Sequence, residues 1–165
     1  MWTQLQAFVG QSLRSIEKLD YSWFFRFDAP LLIVTEAPWR LVTPQGIAVT
    51  DGDHGQQFGL PEPVDASTRV VSSLPSLEVQ SMILDEKTGD LRVNFAADTY
   101  LHFLQMSCGY EAWRADTADG EIICLGRGET VFLEKRRDMF LREDTSPDEK
   151  RQGVLSRGVP APRHC

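Results

Sequence analysis

The segment DGDHG at residues 51–55 places His54, one of only three histidines in the chain, beside two carboxylates. A carboxylate next to an imidazole can orient a general base or a metal ligand, so His54 with Asp51 or Asp53 is a candidate for catalysis. The same composition is typical of a polar turn, and no second His or Cys follows at the spacing that zinc signatures require. The sequence therefore favours a turn here, without a metal or a cofactor.

A second candidate pair joins His102 to Cys108, a few residues further along the chain. A cysteine next to a histidine can be a nucleophile with its base, although no third residue that would orient this histidine is identifiable. The run GRGET at residues 126–130 lacks the spacing of a phosphate-binding loop, and neither GxSxG nor HExxH occurs. These two pairs leave open the alternative of a small hydrolase or ligand-binding enzyme.

Residues for binding a partner are predicted at two places, the loop that contains His54 and the segment GYEAWRA. The segment GYEAWRA at residues 109–115 reads as a strand with Glu111 and Trp113 on one face. An exposed Trp beside a carboxylate suits recognition of a partner, although a cross-strand pair that only stabilises the sheet has the same pattern. No catalytic residue is predicted, and the candidate partner-binding residues are Asp51, Asp53, His54, Glu62, Glu111 and Trp113.

The balance of charge restricts the class of partner. The 165 residues include 17 Lys and Arg against 24 Asp and Glu, a formal net charge of −7. Binding to nucleic acids relies on Lys and Arg that neutralise phosphates, so a nucleic-acid partner is not expected. The acidity either serves solubility alone or favours a basic protein as the partner.

The cysteines and the hydropathy of the sequence indicate the cellular compartment of the protein. Three cysteines without a CxxC spacing argue against a disulfide framework and for a reducing compartment. The opening residues MWTQLQAFVGQSLRS lack the pattern of a signal peptide, and no apolar run approaches the length of a membrane span. The sequence therefore predicts a cytoplasmic protein with no membrane segment.

The pattern of apolar residues predicts an α+β fold, mainly an antiparallel β-meander. We expect a curved sheet with one or two covering helices. The predicted helices cover residues 66–74, with Asp65 as N-cap, and residues 134–144. The predicted strands include an aromatic one at 21–27, with Tyr21 and Trp23 on the same face, and six in the second half of the chain. These six are at 77–85, 91–95, 99–106, 109–115, 121–125 and 129–134, and the hairpin between the first two needs a left-handed residue at Gly89.

The segment DHGQQFGLPEPVDA at residues 53–66 is predicted to connect an N-terminal β unit to the meander. Its glycines permit unusual backbone angles and its prolines stiffen the path. We expect Phe58 and Leu60 to hold this loop against the core. Residues 1–141 are predicted to form a single α+β domain, and residues 142–165 a flexible C-terminal tail.

Several of these segments together resemble an uncharacterised bacterial domain family. They are WRLV, DHGQQFGLPEPVDA, TGDLRVNF, and CGYEAW followed by DGE and a Gly-rich turn. Members of that family carry a GDL strand followed by a YE[AS]W strand, and the resemblance covers about residues 10–133. Such proteins resemble small immunity proteins that neutralise polymorphic toxins. The resemblance therefore implies a non-enzymatic protein that binds a bacterial toxin, and it supplies no catalytic residues.

Overall fold

Eleven strands in the computed structural model form two antiparallel sheets, and the residues that the structure describes are 3–135. In spatial order, the first sheet has six strands: β1 Ser15–Leu19, β2 Ser22–Arg26, β3 Leu32–Thr35, β9 Trp113–Asp116, β10 Gly120–Cys124 and β11 Thr130–Glu134. The second has five: β5 Gly46–Thr50, β4 Trp39–Thr43, β8 Tyr100–Phe103, β7 Leu91–Asn94 and β6 Ser81–Leu84.

Aromatic side chains join the two sheets face to face. The Phe25 ring in β2 meets the rings of Trp39 in β4 and Phe103 in β8 edge-on, with centroids 5.2 and 4.9 Å away. Trp23 meets Trp39 in the same geometry at 5.0 Å. All four side chains are buried, and edge-to-face rings of this kind add to the stabilisation that burial itself provides. The core therefore lies between the sheets.

The structure is mostly antiparallel β with few helices, as the sequence predicts in outline. The six strands of the predicted meander do not form one curved sheet. β6, β7 and β8 belong to the five-stranded sheet, whereas β9, β10 and β11 belong to the six-stranded sheet. The chain changes sheets between β8 and β9. In this arrangement the apolar face of each sheet packs against the apolar face of the other sheet. A single sheet would have no such partner for its apolar face.

The single α-helix described, α1 at Ala66–Ser73, begins where the sequence predicts. The Asp65 carboxylate accepts hydrogen bonds from the backbone N–H groups of Ser67 and Thr68, at 3.0 and 3.3 Å. The helix contacts β5 and β1 and buries Ala66 and Val70 in the core. It therefore contacts one edge strand of each sheet.

A 3-10 helix at Thr3–Phe8 contacts β6. Among the described residues, no helix is long and apolar enough to cross a membrane. The predicted helix over residues 134–144 lies outside the described residues, apart from Glu134 in β11 and Lys135. The predicted boundary between a domain and a tail at residues 141 and 142 also lies outside them.

A close backbone approach joins the β6–β7 turn to the six-stranded sheet. Gly89 has a φ of +79°, as predicted for this hairpin, and its carbonyl oxygen accepts from the Trp113 indole N–H at 2.8 Å. A Cβ atom at Gly89 would lie 2.6 Å from Cys124 Sγ and 2.7 Å from the Cα of Gly128. Only glycine fits here, because neither the backbone angle nor the space admits a side chain.

We expect Gly89→Ala to lower the free energy of unfolding by more than about 2 kcal/mol, because the new methyl group overlaps Cys124 and Gly128. Gly10→Ala is the matched control. Gly10 has a similar φ of +81°, but a Cβ there meets nothing within 4 Å, so only the cost of the left-handed backbone, about 1 kcal/mol, applies. Urea denaturation measures both values, and equal losses would contradict the close approach.

Candidate functional site

Six connections leave the two sheets at the same end. In the six-stranded sheet, one row of paired residues runs along this end through Trp23, Thr35, Trp113, Cys124 and Thr130. In the five-stranded sheet the corresponding row is Trp39, Phe103, Leu91 and Leu84. The hydrogen bond between Trp113 and Gly89 joins the two rows. The connections beyond these rows are residues 20–21, 36–38, 51–65, 85–90, 104–112 and 125–129.

These six connections, which we call the acidic end, carry a larger net negative charge than the whole chain. They contain eleven carboxylates against two cations, Lys87 and Arg127, a formal net charge of about −9 compared with −7 for the whole sequence. The carboxylates are those of Asp20, Glu36, Asp51, Asp53, Glu62, Asp65, Asp85, Glu86, Asp90, Glu111 and Glu129. The fold therefore collects acidic turns that are dispersed in the sequence.

The acidic end also displays the most exposed large apolar side chains of the described residues. Tyr21, Phe58, Met106 and Tyr110 are between 69% and 85% exposed. The sequence places Tyr21 on the same strand face as the buried Trp23, but Tyr21 lies in the turn before β2 and points away from the core. Exposed aromatic side chains surrounded by polar groups are typical of surfaces that bind other proteins.

The loop at 51–65 is anchored differently from the prediction. Phe58 and Leu60 are exposed, so the prediction that they hold the loop against the core is wrong. The anchor is His54, whose ring packs edge-on against Trp23 at 5.1 Å and whose Nδ1 accepts the Ala66 backbone N–H at 3.3 Å. Phe58 projects from the loop with a φ of +46°, a conformation that bulky side chains rarely adopt.

The carboxylates predicted to orient His54 are hydrogen-bonded to the backbone. Asp51 accepts the Trp39 N–H at 3.3 Å, and Asp53 accepts the Thr50 N–H at 2.8 Å. The carboxylate nearest to the His54 ring is that of Asp65, with Oδ1 4.0 Å from Nδ1. These contacts are those of an ordered polar turn, and Glu62 lies exposed on the same loop.

Glu111 and Trp113 do not share a face. Trp113 is buried, so the prediction that it is exposed beside Glu111 is wrong. The strand begins at Trp113 itself, and the alternation of faces therefore does not extend back to Glu111. Glu111 is exposed and lines a cavity of about 290 Å³ on the outer side of the six-stranded sheet. The other side chains around this cavity include Ser22, Phe24, Glu36 and Arg114.

His102 and Cys108 are not brought together as a nucleophile and base. His102 Nδ1 is 3.3 Å from an Arg40 Nη atom, and its Nε2 is 3.8 Å from Asp90 Oδ2. Burial, with the nearby charges of Arg40 and Arg92, lowers the pKa of His102 despite Asp90. Cys108 is exposed, whereas burial raises the pKa of Cys124 to about 11, and a protonated, buried thiol is a poor nucleophile.

Sequence reasoning missed the arginines that flank His102 and the clustering of acidic turns. Both depend on which strands pair, and the only signal in the sequence is the Asp- and Glu-rich composition of the turns. Within residues 3–135, no group of three or more His, Cys, Asp or Glu residues is arranged to hold a metal ion.

Comparison of the chain with known protein families, with curated proteins and with solved structures finds no match. The resemblance to a bacterial domain family therefore stays a prediction.

We expect His54→Ala to lower the free energy of unfolding by about 1 to 2 kcal/mol, because the Ala66 N–H loses its acceptor and Trp23 loses a ring contact. Urea denaturation at neutral pH measures the loss. Gln57→Ala is the control on the same loop, since the Gln57 side chain is exposed and bonds only within the loop. An unchanged stability of the His54 variant would contradict the structural role of the ring.

The Asp65 cap makes stability depend on pH. Burial raises the pKa of this carboxyl, but hydrogen bonds from Thr68 and Ser67 and the nearby His54 together hold it below the ordinary value of 3.8. A lowered pKa in the folded protein means stability that is present above the unfolded pKa and is lost as the pH falls through the folded one.

We therefore expect Asp65→Ala to cost about 1 kcal/mol at pH 7, and the difference from wild type to shrink below a pH of about 4. Chemical denaturation across this range measures the difference. Glu62→Ala, on the same loop, is expected to leave stability unchanged at both ends of the range. A difference for Asp65 that stayed constant down to acid pH would contradict the role of the charged cap.

Proposed function

We propose that this protein is a non-enzymatic binding protein that neutralises a basic bacterial toxin domain by direct contact, as an immunity protein does. The observation that carries the proposal is the acidic end, where the four most exposed large apolar side chains of residues 3–135 lie among eleven carboxylates. Apolar side chains supply most of the affinity of an interface, and a ring of charge supplies steering and specificity.

The sign of the charge supports a cationic partner. A net charge of about −9 on one end accelerates the approach of a positively charged surface and disfavours anionic partners such as nucleic acids. Toxin domains that cleave nucleic acids have a positive substrate groove. An acidic surface that covers such a groove prevents substrate from entering, so the mechanism is steric and requires no turnover.

The order of the loops supports binding without large rearrangement. Gly55 and Val64 are joined by a backbone hydrogen bond of 2.8 Å across the neck of the Phe58 loop. The loop of Met106 and Tyr110 is braced by Gln105, whose amide donates to the Leu125 carbonyl oxygen at 2.7 Å. Loops that are ordered before binding lose less conformational entropy when a partner docks.

The contacts of the histidines also favour binding over catalysis. His54 and His102 are each engaged by neighbours that hold the ring in place: a backbone N–H and Trp23 for His54, and Arg40 for His102. The cytoplasm is the location that fits this proposal, because an immunity protein must meet its toxin inside the cell that makes both.

The test is co-expression of the full chain with the protein encoded by the adjacent gene, combined with calorimetric binding of the two purified proteins. Wild type is expected to bind and to suppress toxicity. A variant with Tyr21→Ser, Phe58→Asn, Met106→Ser and Tyr110→Ser is expected to bind at least about a hundredfold more weakly. Its melting temperature is expected to match that of wild type, because these side chains are exposed and asparagine tolerates the positive φ of Phe58.

The matched control changes the opposite end, with Ile47→Ser, Asp98→Asn and Asp119→Lys, and is expected to bind as wild type does. Equal affinity for the apolar-loop variant, or no binding to the neighbouring gene product, would contradict the proposal. Suppression that is lost while binding is unchanged, when His54, His102 and Cys108 are replaced in a folded variant, would instead support an enzyme.

A further inference from the structure

The outer face of the five-stranded sheet carries a row of cationic side chains. Arg40 in β4 pairs with His102 in β8, and His102 pairs in turn with Arg92 in β7. The three side chains therefore lie side by side on the solvent face of adjacent strands. Since strands in a sheet are about 4.8 Å apart, the two arginines flank His102 across about 10 Å, a distance that two long side chains can close. We call this group the arginine row.

Both arginines of the row are held by neutral groups. The Arg92 guanidinium lies 4.0 Å from the centre of the Tyr100 ring and donates to Asn94 Oδ1 at 2.9 Å. The Arg40 Nη group lies against His102 Nδ1, and Arg40 Nε is buried without a hydrogen-bond partner in the described part of the chain. By contrast, Arg14 and Arg26 face the carboxylates of Asp28 and Glu17.

The charge of the row is positive although the chain is acidic. Asp90 contributes one carboxylate, with Oδ2 3.8 Å from His102 Nε2, and its Oδ1 accepts the Gln105 backbone N–H. Two arginines therefore outweigh one carboxylate. His102 adds little charge near neutral pH, because burial and the two arginines lower its pKa. A partly desolvated cation without a carboxylate partner is costly, and an anion bound at this position would offset that cost.

We infer that the arginine row binds a phosphate-type oxyanion, either free phosphate or the phosphate group of a small molecule. Guanidinium groups recognise tetrahedral oxyanions through paired N–H donors. Arg40 and Arg92 stand on opposite sides of His102 and present two positive charges, which Asp90 offsets only in part.

This site is independent of the acidic end, since it takes a ligand of opposite charge on a different face. Failure of one proposal therefore leaves the other standing. Asp90 borders both, and it belongs to the turn between β6 and β7.

The experiment is an NMR titration of the histidine imidazoles in inorganic phosphate and in chloride at equal ionic strength, with His102→Gln to assign the signal. Phosphate is expected to raise the pKa of His102, because a bound anion offsets the two charges that lower it. The charged groups around this imidazole are Arg40, Arg92 and Asp90. Phosphate is also expected to raise the melting temperature above that in chloride.

Arg40→Gln and Arg92→Gln are expected to remove both responses, and Arg69→Gln in α1 is the control that keeps them. Arg40→Lys and Arg92→Lys retain the charge and are expected to weaken the response without removing it. A Lys variant that folds and still responds weakly shows that the Gln variants lose the response through lost binding and not through unfolding. Equal values in phosphate and chloride, or an equal loss with Arg69→Gln, would overturn the inference. A response to acetate as large as that to phosphate would overturn the assignment to a tetrahedral oxyanion.

Discussion

The aromatic contacts between the two sheets are the constraint on which the rest of the molecule depends. Phe25 meets Trp39 and Phe103 edge-on, and Trp23 meets Trp39. These rings fix one sheet over the other, and they do so next to the loops of the acidic end. Because His54 rests on Trp23, the packing of the core reaches directly into the loop that displays Phe58. Order in the core is therefore transmitted to the surface that we propose binds a partner.

Charge is distributed unevenly over this scaffold, and the strand pairing explains how. Asp and Glu favour turns, because their side chains accept hydrogen bonds from nearby backbone N–H groups. Asp53, Asp65 and Asp85 all have this local role. Antiparallel pairing then brings turns that are far apart in sequence to one end. The same carboxylates therefore order the loops and create a strong negative field, while the arginine row remains on the outer face of one sheet.

Local structure could be predicted from the sequence more fully than the arrangement of the sheets. The aromatic strand, the Asp65 cap and the positive φ of Gly89 depend on neighbouring residues, and the patterns there are sufficient. The division into two sheets depends on pairs such as Leu32 with Asp116, which local alternation cannot reveal. The sequence pattern places Trp113 on the wrong face because the strand begins later than the pattern indicates. The arginine row could not be predicted from the sequence either, because it also depends on strand pairing. Three strands must pair before Arg40 and Arg92 flank one histidine.

The position of α1 has a consequence for how copies of this chain meet one another. An edge strand offers unpaired backbone groups on which a strand from another molecule can add, the usual route to β-aggregation. α1 contacts β1 and β5, which are edge strands of different sheets, and the 3-10 helix at Thr3–Phe8 contacts a third edge strand, β6. The short helix α1, with Asp65 as its N-cap, thus shields two edge strands. Fraying of that helix would open both to intermolecular strand addition.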